Sequence, residues 1–118
     1  MFFERLKDQN FAYLTTTGRT SGRPHRIEIW FALDDGRLYL LSGGGDAADW
    51  VKNIRKSGRV RIQIGSRSVE ARARIARAGK EDARARELLD QKYMDWKPGN
   101  KLSSWARGAT PVTIDLPD

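Results

Sequence analysis

Two stretches of this sequence concentrate groups suited to holding negative charge. Gly18-Arg19-Thr20-Ser21-Gly22-Arg23-Pro24-His25-Arg26 carries three arginines, two hydroxyls and a histidine in one short run. The planar guanidinium fork matches phosphate and carboxylate. The run is not a phosphate loop of the nucleotide-hydrolase type, because the Gly-Lys-Ser/Thr ending is missing. The second stretch is Ser42-Gly43-Gly44-Gly45-Asp46. Three glycines leave bare backbone N–H groups, and a following helix would add its partial positive end, an arrangement that favours an anion. Asp46 and Asp49 oppose an anion placed directly on that helix end. A solvated hairpin loop and a flexible strand-to-helix connection are the plain alternatives for the two stretches.

Other chemistry finds few residues. His25 is the only histidine, and there is no cysteine. Ser21, the nearest serine, is not on a Gly-x-Ser-x-Gly elbow, which argues against a hydrolytic triad. One histidine without thiolates argues against zinc or iron. Tyr93, Trp96 and Trp105 form an aromatic group near the C-terminus. They either pack a helix onto a sheet or wall a substrate pocket beside a planar cofactor. Arg59, Arg61, Arg72, Arg74 and Arg77 form a basic sheet face that needs covering by carboxylates, a second subunit or an anionic ligand. With Trp30 and Tyr39 interleaved it could touch single-stranded nucleic acid, but no nucleic-acid motif supports that partner, and none is expected.

These residues need elements to position them. The sequence predicts a short helix at Phe2–Gln9, a strand at Ala12–Thr17 and a loop from Gly18 to Pro24. A strand follows over His25–Leu33, with Ile27, Ile29, Phe31 and Leu33 on one face and Arg26, Glu28, Trp30 and Ala32 on the other. Asp35-Gly36 closes a hairpin into Arg37–Leu41. The glycine run leads into a helix with Asp46 as N-cap, an apolar face of Trp50, Val51 and Ile54, and Gly58 as its C-terminal stop. Strands at Arg59–Ile64 and Ser68–Arg77 join at Gly65-Ser66. A long helix covers Lys80–Asp95, a loop Trp96–Gly108, and a last strand Val112–Leu116. The count is six strands with one helix between the third and fourth and another before the last. Short antiparallel strands that must hide their edges tend to close into a barrel.

Size and composition agree with one globular domain over residues 1–118. Apolar residues make up 39% and charged residues 31% of the chain; that balance supports a folded core. The formal charge of +7 points either to a basic soluble surface or to an anionic partner. Absent cysteine fits a reducing, cytoplasmic compartment. No apolar run suits a membrane span, and no signal peptide is expected at the N-terminus.

Leu14-Thr15-Thr16-Thr17-Gly18-Arg19-Thr20-Ser21-Gly22-Arg23-Pro24-His25-Arg26 resembles the opening of the deazaflavin-dependent nitroreductase and quinone reductase family. The likeness continues through Asp35-Gly36 to Leu41, the Ser42–Gly45 turn, the helix core Asp49-Trp50-Val51-Lys52-Asn53-Ile54, and Gly58 to Gly65. It spans about Phe11 to Ala76. It implies an α+β chain built on a six-stranded antiparallel split β-barrel, related to FMN-binding proteins of the pyridoxamine phosphate oxidase type. It also implies a homodimer with the cofactor near the subunit interface. By position, Arg19, Ser21, Gly22, Arg23, His25 and Arg26 would meet the phosphate and acidic tail of a deazaflavin coenzyme of the F-420 type. Ser42, Gly43, Gly44 and Gly45 would offer backbone N–H groups, Trp50 would anchor the helix beside them, and Asn53 would be structural. Tyr93, Trp96 and Trp105 would border the substrate. The implied activity is hydride transfer to a small electron-poor molecule such as a quinone, nitroaromatic or enone. Many nitroreductase-type members carry Lys where this chain has Thr20, which keeps FMN open as cofactor. A non-catalytic flavin-, deazaflavin- or lipid-binding barrel stays open as function. The reading requires Arg19 and the Ser42–Gly45 turn to lie near one cleft.

Overall fold

In the computed structural model, residues 5–117 are described. Seven strands form one antiparallel sheet: β1 (Ala12–Thr17), β2 (Pro24–Ile29), β3 (Ala32–Asp34), β4 (Arg37–Ser42), β5 (Arg59–Ile64), β6 (Arg67–Ile75) and β7 (Thr110–Asp115). Their order is β2-β1-β5-β6-β7-β4-β3. Helices are α1 (Asp49–Lys56), α2 (Lys80–Met94) and α3 (Ser104–Gly108), with a 3-10 turn at Gly45–Ala47. The expected helix at Phe2–Gln9 lies partly outside the described residues; Arg5 and Leu6 are in a 3-10 turn.

The expected six strands become seven because His25–Leu33 is not continuous. β2 ends at Ile29 and pairs with β1, whereas β3 begins at Ala32 and pairs with β4. These are the two opposite edges of the sheet. A flat seven-stranded sheet would be about 29 Å wide. The chain from Ile29 to Ala32 can reach only about 11 Å. The sheet must therefore curl until its edges nearly meet. The result is a curled half-barrel rather than a closed barrel, since β2 and β3 do not pair.

Curling creates two apolar layers. The inner face buries Ala12, Leu14, Phe31, Leu38, Leu40, Val60, Ile62, Ile64, Val112 and Ile114, capped by Ile54 of α1. The outer face of β3, β4 and β7 is covered by α2 and α3 through Tyr39, Leu41, Ala85, Leu89 and Ala106. The other outer face, on β1, β5 and β6, stays polar.

Turn chemistry follows the sequence. Asp35 and Gly36 have φ of 50° and 77°, and Gly65 has φ of 58°, as tight antiparallel hairpins require. Two expected helix boundaries change. Asp46 is not the N-cap of α1; Ala48 is, and Asp46 instead accepts a 2.8 Å hydrogen bond from Thr110 Oγ1. Gly58 is not a left-handed helix stop. α1 ends at Lys56 with Ser57 as its C-cap, and a Cβ on Gly58 would lie 2.7 Å from the carbonyl oxygen of Ala73. Glycine is needed there because β6 passes too close for any side chain. The stretch expected as loop from Trp96 to Gly108 contains α3, capped by Ser103, whose Oγ accepts from Ala106 N.

Candidate cofactor cleft

The loop after β1 is closed by its own backbone. Gly18 N donates to Arg23 O at 2.8 Å and Gly22 N to Gly18 O at 2.9 Å. Arg23 N donates to Ser21 Oγ at 3.1 Å. The loop is fastened to α1 by Asn53, which is buried. Asn53 Oδ1 accepts from Arg19 N (3.1 Å) and from an Arg19 guanidinium N–H (3.0 Å), while its amide donates to Thr16 Oγ1 (3.1 Å). The same guanidinium pairs with the exposed carboxylate of Asp49 at 3.1 Å, and Lys56 Nζ donates to Arg19 O at 2.8 Å. Asp49 and Asn53 stand one helical turn apart, so one helix face grips one arginine.

Between this loop, β2 and the start of α1 lies a cavity of about 480 Å³. Arg19, Thr20, Ser21, His25, Arg26 and Trp50 line it, with Gly18 among its other lining residues. A Cβ on Gly18 would sit 2.6 Å from His25 Nε2 and 2.7 Å from Ser21 Oγ. The imidazole and the hydroxyl thus converge on a hollow that only glycine leaves open. Asp49 is the one carboxylate in the lining. With Arg19 committed to it, Arg26 leaves the lining net positive. Arg26 is itself held over the Tyr13 ring at 3.9 Å.

The other sequence candidates fall around this cavity. Gly22 and Arg23 are exposed on the far side of the loop and do not line it. Ser42 is buried and donates its hydroxyl to Gly45 O at 2.9 Å, bracing the glycine turn. Ser42, Gly43, Gly44 and Gly45 do not line the cavity either. The turn is nevertheless close: Arg19 bonds Asp49, and four residues of chain from Gly45 span at most about 14 Å. Thr110, then Arg55, hold the Asp46 carboxyl below its usual range, so that acid is occupied away from the cavity.

A second cavity, about 260 Å³, is lined by Glu28, Ile29, Trp30, Leu41 and Trp105. Ile27 borders the first cavity and Ile29 the second, so the two follow one another along β2. Gly43 lies beside the second, and a Cβ placed on it would come 3.5 Å from the Trp105 indole. Tyr93 stacks on Trp30 at 4.3 Å, and Trp105 meets Trp30 edge-on at 5.5 Å. Trp96 is elsewhere; its indole N–H donates to Asn100 O and closes its own loop. Trp30 is thus the aromatic centre that the alternation of β2 did not reveal, because its partners come from α2 and α3. The i, i+4 spacing of Asp49 and Asn53 was the available signal for the arginine grip.

Residues 3–117 match the sequence model of the F420H2-dependent quinone reductases. The chain belongs to that family. The coenzyme of the family is the deazaflavin F420, in agreement with the expected cofactor. Similar solved structures show the fold. An F420H2-dependent reductase, 18% identical, covers 89% of this chain and 93% of its own at a TM-score of 0.68. A pyridoxamine 5′-phosphate oxidase assignment from Listeria innocua, 18% identical, covers 96% and 88% at 0.70. A protein described as a domain-swapped dimer, 18% identical, covers 89% and 79% at 0.72. No helix among the described residues is long and apolar enough to cross a membrane.

Proposed function

We propose that this F420H2-dependent quinone reductase family member holds its deazaflavin in the cleft between the Gly18–Arg23 loop, β2 and α1, and reduces a small electron-poor substrate there. One observation carries the reading: Ser21 Oγ and His25 Nε2 converge over the bare backbone of Gly18 in a net-positive cavity. That cradle fits an oxyanion, which donors on two sides could hold without a clash from a Cβ. The cavity volume is within the usual ligand range of roughly 300–1,000 Å³. When bound, reduced deazaflavin supplies two electrons as hydride.

The protein's part is binding and orientation. Arg26, His25 and the hydroxyls of Thr20 and Ser21 take the anionic handle. Arg19, through Asn53 and Asp49, fixes the loop against α1 so that these donors keep their places. Trp50 offers a flat apolar wall at the same helix start. Trp30 and Trp105 border the adjoining space for the electron acceptor, with Tyr93 stacked behind Trp30. Quinones, nitroaromatics and enones are the acceptor classes of suitable chemistry.

A homodimer would complete the cleft. β2 is an edge strand, and its inward residues Ile27 and Ile29 are only half-buried; a second copy along that side would cover them. Sedimentation at micromolar protein is expected to give twice the 13.4 kDa chain mass.

Titration of the purified protein with F420 and with FMN tests the reading. Binding of F420 at micromolar concentration, with FMN much weaker, is expected. Absence of F420 binding at saturating concentrations overturns it.

A further inference from the structure

We infer that the outer face of β1 and β5 carries a second anion site, separate from the coenzyme cleft, which takes a diphosphate group between Arg59, Arg61, Thr15 and Thr17. The inference goes beyond the reductase reading and does not depend on it.

The strand alternation that buries Leu14, Val60 and Ile62 turns Thr15, Thr17, Arg59 and Arg61 to the other side of the sheet. Thr15 stands directly opposite Arg61 in the ladder. A cavity of about 180 Å³ lies there, lined by these four residues, by Gly22 at the end of the arginine-rich loop, and by Glu70 on the far rim. Neither threonine hydroxyl has a hydrogen bond among the described residues. β1 is the wall between this cavity and the coenzyme cleft. Their linings share only Thr16, whose hydroxyl accepts from Asn53 on the cleft side.

The arginines here are unspent. Arg59 and Arg72 are directly opposite each other, and neither guanidinium has a hydrogen bond or ion pair among the described residues. Like charges so placed repel. Asp115, opposite Arg72 in the next ladder, is already held by Arg74 and Arg37. Arg61 meets Glu70 at 3.5 Å with both side chains more than half exposed, a pairing that water weakens. Arg23, which follows Gly22, adds an exposed guanidinium without a partner among the described residues. An anion seated between Arg59 and Arg61 relieves the repulsion and gains charge-assisted hydrogen bonds. Residues i and i+2 of a strand are about 7 Å apart, so two linked phosphates reach both guanidinium forks where a single phosphate serves one. The cavity has room for such a group and not for a flavin-sized ring system.

The test uses the whole protein without coenzyme, titrated calorimetrically with inorganic pyrophosphate and with orthophosphate at one fixed ionic strength. Pyrophosphate is expected to bind about tenfold more tightly than orthophosphate. Arg59→Gln, an exposed substitution, is expected to weaken pyrophosphate about tenfold while F420 affinity stays within about twofold. Lys101→Gln removes the same charge from the loop before α3, and is expected to leave pyrophosphate within about twofold. ADP titrated alongside separates the sources of the group: affinity equal to that of pyrophosphate assigns it to the end of a larger molecule, and lower affinity to the free anion. No pyrophosphate binding at millimolar concentration, binding unchanged in Arg59→Gln, an equal loss in Lys101→Gln, or displacement by F420 overturns the inference. Should F420 fail to bind, the pyrophosphate titrations of the three proteins still decide this site, so the two readings fail separately.

Discussion

Gly18 and Asn53 show how single residues set the cleft. Gly18 is not in a left-handed conformation, so alanine fits its backbone; only the hollow resists it. The atoms a new Cβ would meet are the ends of two side chains, which can rotate away. Gly18→Ala is therefore expected to stay folded, with a melting temperature within a few degrees of the parent, while F420 affinity falls about tenfold. Parallel thermal melts and coenzyme titrations check this. Asn53 differs in kind. Removing its amide orphans the buried Thr16 hydroxyl and frees Arg19 N–H groups. Asn53→Ala is expected to cost about 2–3 kcal/mol in urea unfolding, and to loosen the cleft as a consequence.

At the level of elements, Glu81 ties four together. It sits in the first turn of α2 and is bound by Arg74 of β6, by Arg77 N, by Thr113 of β7, and at longer range by Arg37 of β4. Burial alone would raise its carboxyl. The Arg74 guanidinium, the Arg77 N–H and the Thr113 hydroxyl outweigh that and hold it at about 2. Its folded value lies below the ordinary 4.5, so the unfolded chain binds the extra proton between those limits. The contribution is complete above pH 4.5 and is lost as pH falls toward 2. Glu81→Gln is expected to lower stability at neutral pH by about 2 kcal/mol after solvent screening. It should also flatten the acid limb in that window, as denaturation measured from pH 2 to 6 would show. The basic face anticipated on β5 and β6 is likewise partly answered within the chain. Arg61 meets Glu70 and Arg74 meets Asp115, while Arg59 and Arg72 stand opposite each other in the ladder.

The whole molecule depends on one short crossover. Trp30-Phe31 carries the chain from one sheet edge to the other, and α2 clamps it there. Lys92 Nζ donates to Lys7 O, Gln9 O and Phe31 O at 2.8–3.0 Å and lies over the Phe31 ring. Burial lowers Lys92 to about 8, against the pull of Asp8, so it remains an ammonium at neutral pH. Tyr93→Phe would leave Phe31 N without its acceptor. It is expected to cost about 1–3 kcal/mol and to speed amide exchange at residues 10–12 and 30–32 together. Faster exchange at only one of the two segments would show that the clamp does not couple them.

Local chemistry wrote much of this into the sequence. Asp35-Gly36 and Gly65 specify their hairpins because the backbone there needs positive φ. Alternating Val60, Ile62 and Ile64 choose the inner face because a strand has period two. The arginine-rich loop is legible from residue types, and the family from the resemblance its motifs bear to known members. What only the folded chain decided depends on residues distant along it. The break at Trp30-Phe31 follows from sheet closure, which no local pattern encodes. Gly58 is required by Ala73 across a ladder, and Trp30 meets Tyr93 and Trp105 because α2 and α3 fold onto the outer sheet. Pairings over such separations are selected by the packing of the entire core, and so the cavity walls emerge only when the sheet has curled.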